Sequence, residues 1–138
     1  HMPFKWEEQK EEKLISLLSK FVSESRIKPF ELRLKNFDCF EPRVIFIAVE
    51  KSEPLLVLQQ ELKRFCKVKL NLFNATFKEH AYHPHLTVAF RDLKKTDFYK
   101  AWNEFKDKLF EGNFIVNQFV LLKHNGQVWE KLRSFPLQ

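Results

Sequence analysis

Two strand-like runs set almost end to end constrain this chain more than anything else in its 138 residues. In PFELRLKNF (Pro29–Phe37), Phe30, Leu32 and Leu34 alternate with Glu31, Arg33 and Lys35, the period-two pattern of a half-buried strand. After a turn expected at Asp38 to Pro42, RVIFIAV (Arg43–Val49) is continuously apolar and β-branched, as in a central strand covered on both faces. The rest of the chain has to supply what covers it.

Helical periodicity does so at three places. Leu14, Ile15, Leu17, Leu18, Phe21 and Val22 form one apolar face of a helix over residues 7–25, with Glu in its first turn and Pro29 beyond its end. Ser52 and Pro54 mark an N-cap region for a helix through about Lys67, with Leu55, Leu58, Leu62 and Phe65 inward. A third helix spans residues 95–109 and carries Phe98, Trp102, Phe105 and Leu109. Residues 68–82 read as a loop. FIVNQFVLLKHNGQVWEKL closes the chain as a hairpin turning at Asn125-Gly126. The order α β β α β α β β is α+β and antiparallel-dominated, not doubly wound.

Composition narrows the class. The length suits one domain, and no repeat, linker or low-complexity stretch divides residues 1–138. Sixteen Phe against two Gly supply a large apolar core and leave little room for disorder. A formal charge of +6 favours an anionic partner such as nucleotide or RNA. Cys39 and Cys66 stand in no CxxC spacing and read as reduced thiols. No apolar run approaches the ~20 residues of a membrane span and no signal peptide is visible, so the expected location is cytoplasmic, with no membrane partner.

The chemistry concentrates in HPHLTVAFR (His83–Arg91). On a strand, His85, Thr87, Ala89 and Arg91 point one way, and Leu86, Val88 and Phe90 point toward the helices. Imidazole gives and takes protons near neutral pH. A threonine hydroxyl ~6–7 Å along the strand can donate to a phosphate oxygen held between them, and Ala89 leaves room for a ligand. Arg91, ~20 Å from His85 along the strand, suits a remote part of a nucleotide. Tyr82 and His83 would shape the rim. The same residues admit plainer readings: His-x-Thr occurs by chance, and His80, His83 and His85 could gather a zinc ion, although no carboxylate or cysteine stands at a helpful spacing.

HPHLTVAFR, following PFELRLKNFDCFEPRVIFIAVE, resembles the 2H phosphoesterase superfamily in its bacterial 2′-5′ RNA ligase-like branch. That branch carries His-x-Thr/Ser between hydrophobic residues, after a PF-x-L-x-L-x-x-F strand and a PRV-apolar strand. The likeness runs from Pro29 to Arg91. It implies a two-lobed α+β fold of antiparallel-dominated sheets with outer helices, each lobe giving one His-x-Thr/Ser to a shared cleft. It also implies general acid–base opening of a 2′,3′-cyclic phosphate, or cleavage or ligation of a 2′-5′ linkage, with no cofactor and no metal. His85 and Thr87 would then be catalytic, and Tyr82, His83 and Arg91 substrate contacts.

One part of the pattern is missing. His1, His80, His83 and His124 have no Thr or Ser two residues on. HMPFKWEE matches the segment that trails the first motif in the family. Residues 1–138 are therefore expected to be a single domain shortened at its N-terminus, without the opening strand-helix-strand portion. An enzyme left with one histidine loses its acid or its base, each worth about 10²–10⁴-fold in rate. An open sheet edge would favour a homodimer or strand exchange. The competing reading is a catalytically incomplete RNA- or nucleotide-binding module, gripping with Lys94-Lys95 and Lys67-Val68-Lys69 near Phe73 and Phe77. The plainer account of those lysines is a solvated surface.

Overall fold

A computed structural model describes residues 4–72, 82–90 and 93–138. The chain resolves into two units: His1–Phe30, Glu53–Ala81 and Ile115–Gln138 form one, and Glu31–Ser52 with Tyr82–Phe114 form the other.

The first unit is built on helix packing. A 3-10 turn at Glu8–Lys10 leads into α1 (Glu11–Ser25), which buries Leu14, Leu18, Phe21 and Val22. The helix stops where Arg26 takes a left-handed backbone conformation (φ 52°), ahead of Pro29. The second helix, α2 (Glu53–Lys69), buries Leu55, Leu58 and Cys66. Ser52 stands one residue before it as expected, but its hydroxyl is buried without a hydrogen-bond partner and does not cap the helix. Phe21 ties the layers together, its ring centroid 5.0 Å from Phe65 of α2 and 6.1 Å from Phe119 of the hairpin described below.

The second unit holds a four-stranded sheet in the order β3-β2-β1-β4, made of β1 (Phe30–Phe40), β2 (Val44–Val49), β3 (His85–Ala89) and β4 (Glu111–Val116). The continuously apolar run is the interior strand, with Ile45, Phe46 and Ile47 buried and antiparallel neighbours on both sides. β1 runs three residues further than the alternation suggested. The turn is confined to Glu41, Pro42 and Arg43, with Arg43 N–H donating to the Phe40 carbonyl at 3.0 Å. On one face of this sheet lies α3 (Lys95–Phe105), whose Phe105 ring sits 5.0 Å from Phe37, while Phe98 is fully buried.

Three expectations change. The third helix ends at Phe105, so Leu109 is 88% exposed and takes no part in the core. The chain leaves the helix because Asn36 holds Phe110 from both sides: Asn36 N–H donates to the Phe110 carbonyl at 2.7 Å, and Phe110 N–H donates to Asn36 Oδ1 at 3.1 Å. The closing hairpin is shorter than its apolar run. Phe114 to Val116 belong to β4, and only β5 (Gln118–His124) and β6 (Trp129–Pro136) pair with each other. Finally, Leu86, Val88 and Phe90 are not covered by helices: they stay 50%, 55% and 49% exposed. Among the described residues β3 is an edge strand, bonded only to β2, so one row of its backbone groups and much of its side-chain surface remain open.

Candidate functional site

Register decides which side chains share a face. Ala48 opposes His85, Ile47 opposes Leu86, Phe46 opposes Thr87, and Ile45 opposes Ala89. Two steps on β3 thus meet one step on β2 between Thr87 and Ala89, and Val88 is the extra residue of a β-bulge. Directly opposed residues lie on one face. His85 and Thr87 therefore remain together, beside Ala48 and Phe46. Ala89 does not join them: it falls with Ile45 on the other side of the sheet. The simple alternation that put His85, Thr87, Ala89 and Arg91 in one row holds only up to the bulge. Arg91 lies outside the described residues, as does His80 of the possible zinc cluster.

Phe37 opposes Ile47, and Phe37 is the residue that meets α3. The His85–Thr87 face is consequently the one turned away from that helix. Its floor is aromatic. Phe46 has 0% exposure because Phe40, His83 and His85 roof it, with ring centroids at 4.5, 5.4 and 5.0 Å. Phe40 in turn stands 5.2 Å from each imidazole, and the two imidazoles are 6.3 Å apart. Pro84 lies between the two histidines that flank this bed, just before the strand begins.

One hydrogen bond sets the chemistry of His85. Its Nδ1 lies 2.7 Å from the main-chain carbonyl of His83. A carbonyl only accepts, so Nδ1 carries the hydrogen, and in the neutral ring Nε2 bears the free lone pair. The imidazole is exposed, with Thr87 on the same face, also exposed. Tyr82 is half-buried, and that burial raises its phenol above the ordinary tyrosine value, keeping it a neutral donor at physiological pH. Among the described residues no group of three His, Cys, Asp or Glu side chains is arranged to hold a metal ion. No described helix is long and apolar enough to cross a membrane.

The register also brings in residues that sequence reasoning passed over. Asp38 opposes Phe46, and Lys35 opposes Ala48, so both stand on the histidine face. Lys35, Ala48 and His85 form one row across three strands, with the smallest side chain in the middle. Lys35 was visible only as the polar phase of an alternating strand. Phe46 was visible only as one letter of an apolar run. Neither could be assigned to a site before the bulges in β1 and β3 were known, because a one-residue shift exchanges the faces.

A family model described as the 2′-5′ RNA ligase superfamily matches residues 1–128 of the chain. Among solved structures the chain is similar to the crystal structure of the protein TT0787 of Thermus thermophilus, with 23% identity and a TM-score of 0.63, over 96% of this chain and 73% of that one. That likeness is one of fold, and it agrees with the mixed α+β architecture of antiparallel sheets and helices. Comparison with curated proteins found no match.

Proposed function

Because the chain belongs to the 2′-5′ RNA ligase superfamily, we propose that the His83–Thr87 face is half of a phosphodiester site. In it His85 Nε2 acts as general acid or base and the Thr87 hydroxyl holds a phosphate oxygen. The reaction is opening of a 2′,3′-cyclic phosphate, or cleavage or ligation of a 2′-5′ bond, at an RNA end or a small nucleotide. The observation that carries this reading is the bond from His85 Nδ1–H to the His83 carbonyl. It orients the ring and, in the neutral form, leaves the lone pair on Nε2 for proton transfer, in an exposed imidazole that shares its face with Thr87. Lys35 supplies a cation across Ala48 from His85, and Tyr82, His83 and Arg91 are candidate substrate contacts.

The complementary acid or base is expected from a second histidine elsewhere in the full protein or from a second copy of the chain. The open edge of β3, with Leu86, Val88 and Phe90 half exposed, supports pairing or strand exchange there. The absence of a second His-x-Thr/Ser from residues 1–138 favours one other reading, an RNA- or nucleotide-binding module without turnover.

The test is hydrolysis of 2′,3′-cyclic nucleotides in the presence of EDTA, comparing the chain with His85→Ala. Turnover that disappears in the variant supports the catalytic reading. Turnover unchanged in His85→Ala removes His85 from the mechanism. No turnover in either protein leaves an incomplete site or a binding module, and the same assay on the full-length protein chooses between them: His85-dependent turnover there supports the catalytic reading, and nucleotide binding without turnover selects the module.

A further inference from the structure

We infer that the face of the β5–β6 hairpin turned away from α1 is a stacking platform for single-stranded RNA, centred on Trp129. This rests on the RNA-directed reading above, and extends it to a place in the first unit where no ligand has been assigned.

The two faces of the hairpin are unlike. Phe119 opposes Phe135, Leu121 opposes Arg133 and Lys123 opposes Glu130. This is the face that meets α1 and the 3-10 turn before it, through the Phe119–Phe21 ring contact and through Lys123 Nζ, which donates to Glu8 Oε1 of the turn and Glu11 Oε2 of the helix at 2.8 Å each. Val120, Leu122 and His124 oppose Ser134, Lys131 and Trp129 on the other face. It combines exposed aliphatic surface, a tryptophan, an imidazole and an ammonium group, and no carboxylate shares it. No ion pair engages Lys131 among the described residues. Lys123, by contrast, is held on the opposite face.

The tip is built to hold this arrangement still. Asn125 Oδ1 accepts the N–H groups of Gln127 and Val128 at 2.9 Å, Asn125 Nδ2 donates to Glu130 Oε1 at 2.6 Å, and Asn125 N–H donates to the Val128 carbonyl at 3.1 Å. Gly126 supplies the positive φ of 102° that the turn requires, and its N–H donates to His124 Nδ1 at 3.1 Å. With Nδ1 accepting, the neutral ring of His124 carries its hydrogen on Nε2, so it is a donor toward solvent. That ring meets Trp129 edge-on at 5.0 Å, and Trp129 is still 43% exposed. A large, oriented indole beside a fixed N–H donor and a lysine matches a base and its phosphate. Stacking on such a ring tolerates any base, and the Lys131 ammonium suits a phosphate of the polyanion. A second copy of the chain would instead set against this patch the same patch, which offers the Lys131 ammonium no carboxylate.

The experiment is fluorescence polarisation of an end-labelled oligouridylate of about eight nucleotides, within the span such platforms bind, titrated with the chain and with Trp129→Ala, Trp129→Phe, Lys131→Gln and His85→Ala. Trp129→Ala is expected to weaken binding about 5- to 100-fold, with Trp129→Phe retaining most of the affinity. Lys131→Gln should reduce the slope of log affinity against log salt by about 0.7. Affinity lost in His85→Ala and kept in Trp129→Ala would put the RNA on the histidine face and overturn the inference. Equal affinity of Trp129→Ala and the parent, with matching circular dichroism melts, overturns the inference, as does the lack of saturable binding by the parent. A dimer broken by Trp129→Ala at unchanged RNA affinity, seen by sedimentation, also overturns it in favour of self-association. Trp129-dependent RNA binding together with cyclic-nucleotide turnover unchanged in His85→Ala would leave the platform standing while the catalytic reading fell.

Discussion

Replacing Phe46 tests the architecture of the histidine face most directly. The side chain has no exposure and touches Phe40, His83 and His85. Truncation to Ala is expected to cost about 3–5 kcal/mol, a large share of the ~5–15 kcal/mol that holds an ordinary domain together. Phe46→Leu is the more useful variant. It keeps most of the volume but loses three ring contacts worth about 0.5–1.5 kcal/mol each, partly replaced by aliphatic packing. The net expectation is about 1–2 kcal/mol. In urea, with a slope near 2 kcal/mol/M, the midpoint should fall by about 0.5–1 M. Phe98→Leu is the control: Phe98 is equally buried, but it belongs to α3 and pairs with Tyr99 at 5.2 Å. Both variants should destabilise, yet only Phe46→Leu should move the imidazole proton resonances of His83 and His85 and impair any His85-dependent turnover. If the two variants perturb the histidine resonances equally, or Phe46→Leu leaves them unmoved, Phe46 is not the bed on which those rings rest.

Further outcomes follow from single residues. Thr87→Val should raise the KM for a 2′,3′-cyclic nucleotide about 10- to 100-fold, the worth of one hydrogen bond to a charged group, and Thr87→Ser should stay near the parent value; equal kinetics for Val and Ser would exclude the hydroxyl. Gly126→Ala meets open space but must adopt a φ of 102°, so a loss of about 1–3 kcal/mol in urea unfolding is expected from backbone strain alone; an unchanged midpoint would show that the turn relaxes. Lys123 holds the Glu8 carboxyl below its ordinary value of 4.5, chiefly by hydrogen bonding and then by charge. The folded value is the lower one, so this contribution is present above pH 4.5 and disappears as pH falls through the lowered value. Melts of the parent and Lys123→Met should accordingly differ at pH 7 and draw together as pH falls well below 4.5; a gap that does not narrow on acidification would assign the loss to packing.

Much of the element order was legible because it rests on periodicity. Leu14, Leu18, Phe21 and Val22 recur at helical spacing and are buried on one face of α1. The run Val44–Val49 is apolar throughout and is the interior strand. What failed were places where a distant partner sets the local outcome. Leu109 continues the helical pattern, yet Asn36, far upstream in the chain, captures Phe110 and ends the helix early. Phe114 to Val116 and Phe119 to Leu122 form one apolar stretch in the chain but serve two different sheets.

The site divides along the same line. The sequence alone determined that an imidazole and a hydroxyl two residues apart would sit on one strand face, because that follows from the two-residue period between Cβ directions. It carried the family as well, since the 2′-5′ RNA ligase superfamily model matches residues 1–128. Only the tertiary structure decided that Ala89 leaves that face at Val88, that Lys35 and Asp38 join it, and that Phe46 lies under both histidines. A bulge is a property of two strands in register, with one residue more on one strand than on its partner. No periodicity within a single strand records what its partner does, and so the side of the sheet on which the chemistry stands is fixed by pairing.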